Sequence, residues 1–218
     1  MKRKLLIIVL NLFLAGGLAA QEWRINGHAY YVFDDKVDSY YSGTSYYEGT
    51  IKGGFMWGVG LEYMLHQGYG VGLTYFRQDT KVPMRYYDNG EKNRDFDLAA
   101  NWFMLGGTRY VQRGKAELYG GFELGAVFYE VNNSLSGKSA SATKFGWGIK
   151  LGSNIFLNER VGIKLQADMR SAAQGAGGGM YFGTGGVGAG VSTYSSIYQF
   201  GLGGGLVFRF PPKTGAKP

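Results

Sequence analysis

Between Tyr198 and Phe210 the chain reads YQFGLGGGLVFRF. Taken in steps of two, it places Tyr198, Phe200, Leu202, Leu206, Phe208 and Phe210 on one face and Gln199, Gly201, Gly203, Gly205 and Arg209 on the other. A soluble strand turns its large apolar residues to a core and its polar residues to water. Here the second face is too small and too charged to be the exposed side of a thin sandwich. Large apolar groups outside, with glycine and charge inside, is the pattern of a strand that closes a barrel and meets lipid.

The N-terminus says where such a barrel goes. Lys2, Arg3 and Lys4 precede an apolar run from Leu5 to Leu14, and the small residues from Ala15 to Ala20 offer a cleavage point after Ala19 or Ala20. That is the layout of a secretory signal peptide, and the run falls short of the ~20 residues a helical span needs. The expected organisation is a signal peptide over 1–20, a single barrel domain over 21–210 and a short periplasmic tail over 211–218.

Composition agrees. With 0 Cys, an exported chain of this size must hold together by closure and burial, without disulfides. Its 38 Gly and 16% aromatic residues, with only 4 Pro, suit sharply curved strands with aromatic girdles better than disorder. Loss of Lys2, Arg3 and Lys4 leaves 20 of the 23 basic residues against 16 acidic ones, a balance too mild to argue for nucleic acid.

Alternating segments of membrane-strand length occur at 22–33, 51–65, 69–79, 95–111, 115–130, 144–157, 161–172 and 194–210. The connections alternate too. His66-Gln67-Gly68, Gln112-Arg113-Gly114 and Asn158-Glu159-Arg160 are short turns, whereas 34–50, 80–94, 131–143 and 173–193 are long. Short turns belong to the periplasm and long loops to the outside, so both termini are expected in the periplasm. An even strand number with both ends on one side predicts one closed, antiparallel, up-and-down barrel, with eight strands the reading that fits.

On the fourth segment the alternation places Leu98, Trp102 and Tyr110 outside and Asp97, Asn101 and Arg109 inside, although apolar residues fall on both parities over Trp102-Phe103-Met104-Leu105. Tyr110 joins the expected periplasmic aromatic belt and Phe96 the outer one. The predicted luminal polar network comprises Arg24, Glu62, Arg109, Glu117, Glu123, Lys144, Lys150, Lys164, Asp168 and Arg170. Inward glycines leave room for these long side chains, so the lumen is expected to be plugged. Buried charges persist when paired: Glu117 and Glu123 are expected to meet Arg109 and Lys150, and Asp168 to meet Lys150 or Lys144.

These residues resemble the small outer-membrane barrel superfamily of Gram-negative bacteria, of the OmpA transmembrane-domain and OmpX type, over the whole span from Trp23 to Phe210. The most specific element is the final strand. Its alternation from Tyr198 through Phe200, Leu202, Leu206 and Phe208 to the aromatic Phe210 is similar to the signal read by the outer-membrane assembly machinery. The family signal usually ends the chain, whereas PPKTGAKP follows here; Pro211 and Pro212 cannot extend the ladder, so pairing should still stop at Phe210. The resemblance implies a bacterial outer-membrane location with lipids and lipopolysaccharide as surroundings.

Some barrels of this superfamily are enzymes that rely on a His with Ser, Asp or Glu near the membrane surface. The chain has 2 His. His66 falls in a short turn and His28 mid-strand, facing inward among Asn26 and Tyr30, so no enzymatic activity is expected; nor does a lone inward His without Cys call for a metal or other cofactor. The outer connections are richer. Tyr40, Tyr41, Tyr46 and Tyr47 flank Ser42-Gly43-Thr44, and Tyr86 and Tyr87 precede Asp88-Asn89-Gly90. Tyr with Ser and Gly is contact chemistry for an extracellular protein or glycan, while a hairpin with cross-strand Tyr pairs explains the same symmetry. Arg77, Lys81, Arg85, Lys92 and Arg94 cluster near the second loop, where they suit lipopolysaccharide phosphates or plain solvation. The glycine-rich connection 173–193 reads as a mobile surface loop around Met180, Tyr181 and Phe182, since it lacks the Lys-Ser or Lys-Thr pair of a phosphate loop. The expected function is structural or loop-mediated, in membrane integrity or adhesion. The alternative is a narrow porin-like channel.

Overall fold

In the computed structural model, residues 22–42, 45–87, 91–133, 139–177, 179–183, 186–190 and 197–211 are described. The strands are β1 (Trp23–Val32), β2 (Asp35–Ser42), β3 (Ser45–Ile51), β4 (Gly54–Met64), β5 (Tyr69–Tyr87), β6 (Glu91–Arg113), β7 (Ala116–Asn133), β8 (Ser139–Phe156), β9 (Val161–Gly177), β10 (Gly179–Gly183), β11 (Gly186–Gly190) and β12 (Ile197–Phe210). Eight of them, β1, β4, β5, β6, β7, β8, β9 and β12, pair antiparallel in sequence order, and β12 returns to β1 to close an eight-stranded barrel. The seam runs from Trp23 opposite Phe210 to Val32 opposite Gly201, so the ladder stops at Phe210, before the prolines.

The short turns sit at the end that carries the termini. Asn158 closes one by accepting the N–H groups of Arg160 and Val161 at 2.8 and 2.9 Å. At the other end the strands outgrow a membrane. A tilted span needs ~9–11 residues, yet β5 has 19, β6 23, and β7 and β8 18 each. The long connections are thus largely strand. Residues 34–50 fold mainly into the β2–β3 hairpin, in which Tyr40 faces Tyr46 and Ser39 faces Tyr47, and β3 docks on the upper part of β5 with Tyr47 opposite Tyr86. Part of 173–193 is paired as well: β9 continues to Gly177, and β10 with β11 forms a hairpin with Tyr181 opposite Gly188.

The fourth barrel strand, β6, is turned over relative to its sequence reading. Leu98, Trp102 and Tyr110 are buried inside, as is Phe96, while Phe103 and Leu105 face out at 47% and 59% exposure. Asp97 and Arg109 accordingly lie on the outer face. Both ends of this long strand lie beyond the apolar band, where an outward charge is in water. The rule that charge marks the inward parity therefore fails there.

Candidate functional site

The lumen is filled in three tiers. Nearest the termini, Arg24 donates to Glu117 through Nη1 at 2.7 Å and Nη2 at 3.0 Å, and it also pairs with Glu22. Arg209 Nη2 reaches the same Glu117 at 3.1 Å, and Asn154 Nδ2 donates to it at 3.0 Å. Rings cover the cations: Arg24 lies 4.6 Å from the Tyr110 ring centre and Arg209 3.3 Å from that of Phe156. Tyr110 in turn donates to Glu62 at 2.6 Å. A carboxylate that accepts from two guanidiniums and an amide uses most of its lone-pair capacity, which is how such a charge survives out of water.

In the middle tier Lys150 pairs with Glu123 at 2.7 Å, Lys164 lies over the Tyr119 ring at 4.4 Å, and Tyr119 donates to Gln166 at 2.7 Å. His28 Nδ1 and the Tyr30 hydroxyl are 2.9 Å apart. Glycine makes the room these side chains take: a Cβ on Gly121 would lie 2.9 Å from Lys150 Cε, and one on Gly70 2.7 Å from Glu62 Oε1.

Arg170 caps this polar column. It pairs with Asp168, and its guanidinium lies 3.7 Å over the Phe76 ring and 2.9 Å from Met56 Sδ. Beyond it the lumen is apolar, a cluster that includes Met84, Phe96, Leu98, Trp102, Met104, Val127, Tyr129 and Val131. Gln78 and Gln199 cross it with a 2.7 Å bond. Sequence reasoning expected a polar plug throughout. The upper part is instead a conventional hydrophobic core that begins at the level of the outward Phe103 and Leu105 and continues beyond the lipid-facing belt, and the inward Met, Phe and Trp on β5 and β6 were its signal.

Nine of the ten expected network residues point into the barrel; Arg109 does not. Its side chain lies outside, 4.4 Å over the Tyr69 ring, so Glu117 takes Arg24 and Arg209 as partners in its place. Glu123 does meet Lys150. Asp168 pairs with Arg170, two residues along its own strand, because both point inward at successive positions of one face. Lys144 is buried on that inner face and enters no ion pair among the described residues. The side chains of Tyr40, Tyr41, Tyr46, Tyr47, Tyr86 and Tyr87 lie outside the described set.

The outer face is the inverse of a soluble surface. Trp57, Val59, Leu61, Leu73, Leu105, Leu118, Phe122, Leu124, Ile149, Leu151, Leu165 and Leu202 are all exposed and form a band around the barrel. The final-strand residues Tyr198, Phe200, Leu206, Phe208 and Phe210 belong to it. A continuous apolar belt of this extent is lipid-facing surface.

Solved structures share this architecture. Neisserial surface protein A matches at 14% identity over 86% of this chain and 97% of its own, with a TM-score of 0.53. The outer membrane protein OprG from Pseudomonas aeruginosa matches at 16% identity over 88% and 97%, with a TM-score of 0.55. The fold is that of the small outer-membrane barrels. AlkL, an outer membrane protein whose structure was determined in lipid bilayers, has the same fold at 12% identity, covering 93% of this chain and 96% of AlkL with a TM-score of 0.52. No family model and no curated protein sequence matches the chain.

Beyond the belt, the outer face of β5, β6 and β7 becomes polar within two cross-strand rows. Leu73, Leu105 and Leu124 share one row; Tyr75, Phe103 and Ala126 the next; then Arg77, Asn101 and Phe128; then Asp79, Ala99 and Glu130. Arg77 is already engaged, bonding Asp79 through Nε at 2.9 Å and Nη2 at 2.6 Å. At the base of the β2–β3 hairpin, Asp34 accepts the Gly53 N–H at 2.7 Å and the Lys52 ammonium at 2.9 Å. Those two contacts, the Gly53 bond first, hold its carboxyl below the usual range.

Proposed function

We propose that the protein is an integral barrel of a bacterial outer membrane, with the termini in the periplasm. Its lumen is closed by its own side chains, and it acts structurally and through the strands and loops opposite the termini. The observation that carries this reading is the filled lumen: paired charges in the lower half, the Arg170 cap, and an apolar core above. Eight strands leave an interior only wide enough for side chains, and here side chains occupy it at every level. The lipid-facing belt and the shared fold support the membrane setting. The non-enzymatic reading is supported by His28, which is engaged with Tyr30 inside the barrel, away from any substrate at the membrane surface.

Single-channel recording in a planar bilayer tests it, with heat-dependent gel mobility as the control for folding. A folded, silent barrel is expected. Reproducible discrete current steps would overturn it in favour of a narrow porin-like channel and direct attention to Lys150, Lys164 and Asp168.

A further inference from the structure

The outer face of β5–β7 carries a lateral cleft of about 510 Å³ where the lipid-facing belt ends, lined by Tyr75, Asn101, Phe103, Phe128 and Glu130. A second cleft of about 410 Å³ adjoins it on the side away from the termini and shares Glu130, with Arg77, Lys81, Asp97 and Ala99 among its lining residues. We infer that this cleft binds the uncharged sugar head group of a glycolipid, with the acyl chains lying on the leucine row below.

Three observations select that occupant. The cleft is amphipathic along one axis. Below it Leu73, Leu105 and Leu124 stand in register and exposed, and above it Asp79, Ala99 and Glu130 stand in register, with Asp79 and Glu130 exposed and Ala99 half-buried. A molecule that fits must be apolar at one end and hydroxyl-rich at the other, in the orientation a lipid already has. Its walls also present rings, Phe103 and Phe128 exposed and Tyr75 half-buried: Tyr75 and Phe103 have centroids 4.9 Å apart, and Phe103 meets Phe128 edge-on at 5.8 Å. Such rings offer apolar faces to the C–H side of a sugar. The third observation is charge. Arg77 is spent on Asp79 and the exposed Lys81 lines only the adjoining cleft, so among the described residues no cation lines the first cleft to meet a phosphate. What remains suits hydroxyls. Tyr75 and Arg77 both donate to Asn101 Oδ1, at 2.8 and 3.0 Å, which leaves the two Nδ2 donors of Asn101 to give. Glu130 is exposed, enters no ion pair among the described residues, and can accept. The small Ala99, opposite Glu130 and lining the adjoining cleft, leaves the space beside Glu130 open.

The inference rests on the membrane reading above. Its test uses the mature chain refolded into phosphatidylcholine nanodiscs with equal amounts of diglucosyl diacylglycerol and phosphatidylglycerol of the same acyl chains. Lipids that remain bound after transfer to detergent are counted by native mass spectrometry. The wild type should retain the glycolipid about tenfold over phosphatidylglycerol, and Asn101→Leu with Glu130→Leu should remove that preference. Ala99→Trp, which fills the space between Asp79 and Glu130 while leaving Asn101 in place, should remove it too. Both variants change outward-facing residues, and heat-dependent gel mobility confirms folding. Equal retention of the two lipids, salt-sensitive preference for phosphatidylglycerol, or variants that retain the glycolipid like the wild type would each overturn the inference while leaving the barrel in its membrane. Failure of the wild type to insert would overturn both.

Discussion

Arg24 and Glu117, 93 residues apart in sequence, meet across the lumen through two bonds of 2.7 and 3.0 Å, joining the first strand to the middle of the barrel. Neither side chain is at the sheet surface, and Arg209 on the last strand shares the same carboxylate. The pair therefore ties the closing seam to the opposite wall.

Glu117→Ala should leave the buried Arg24 and the half-buried Arg209 without that counter-charge and destabilise the barrel by about 3–5 kcal/mol. Urea unfolding in lipid vesicles measures this. A change within error of zero would show that Glu22 alone satisfies both guanidiniums.

The inversion of β6 makes opposite forecasts for adjacent residues. Trp102 is 0% exposed within the apolar tier, so Trp102→Ala opens a cavity that should cost about 3–5 kcal/mol, whereas Phe103→Ala should cost much less. A spin label at position 103, but not at 102, should be broadened by a lipid-soluble relaxation agent. The reverse pattern would restore the parity read from sequence.

Gly121 faces Lys150 with no space between them. A Cβ there would lie 2.7 Å from the Gly107 carbonyl oxygen as well as 2.9 Å from Lys150 Cε. Gly121→Val should therefore slow refolding into detergent and lower stability by about 1–3 kcal/mol. Its pairing with Lys150→Ala should recover only part of the loss, because the carbonyl clash remains.

The Asp34 clasp is pH-dependent. Its folded carboxyl titrates below the ordinary 3.8, so its contribution is fully present above about pH 3.8 and is lost as pH falls through the lower folded value. Protection of the Gly53 amide, taken relative to its intrinsic exchange rate at each pH, should fall across that drop and stay flat above it. Asp34→Asn, which keeps an acceptor but does not titrate, should abolish the dependence.

Much of this was legible in residue order. The strands with one membrane face and one glycine-and-charge face, such as β8 and β12, were readable to within a few residues, because lipid on one side and a narrow lumen on the other leave a period-two record. So were the turn at Asn158 and the stop before Pro211. The partners were less legible: Lys150 with Glu123 followed from adjacent strands, but Arg24 with Glu117 spans the lumen, and no local pattern encodes that distance. The cleft at Asn101 was hidden for a related reason. Its residues come from three strands, and the parity assigned to β6 had turned Asn101 inward.

The alternation, the absence of cysteine and the glycines placed beside long charged side chains by themselves determined a closed antiparallel barrel with lipid outside. Those are consequences of period and size, which act locally along each strand. Which charges pair, where the polar lumen gives way to an apolar core, and which way β6 faces were decided only by closure. Bringing β12 back to β1 sets which side chains share each level of the lumen, and a strand apolar on both sides can take its parity only from its neighbours' registers.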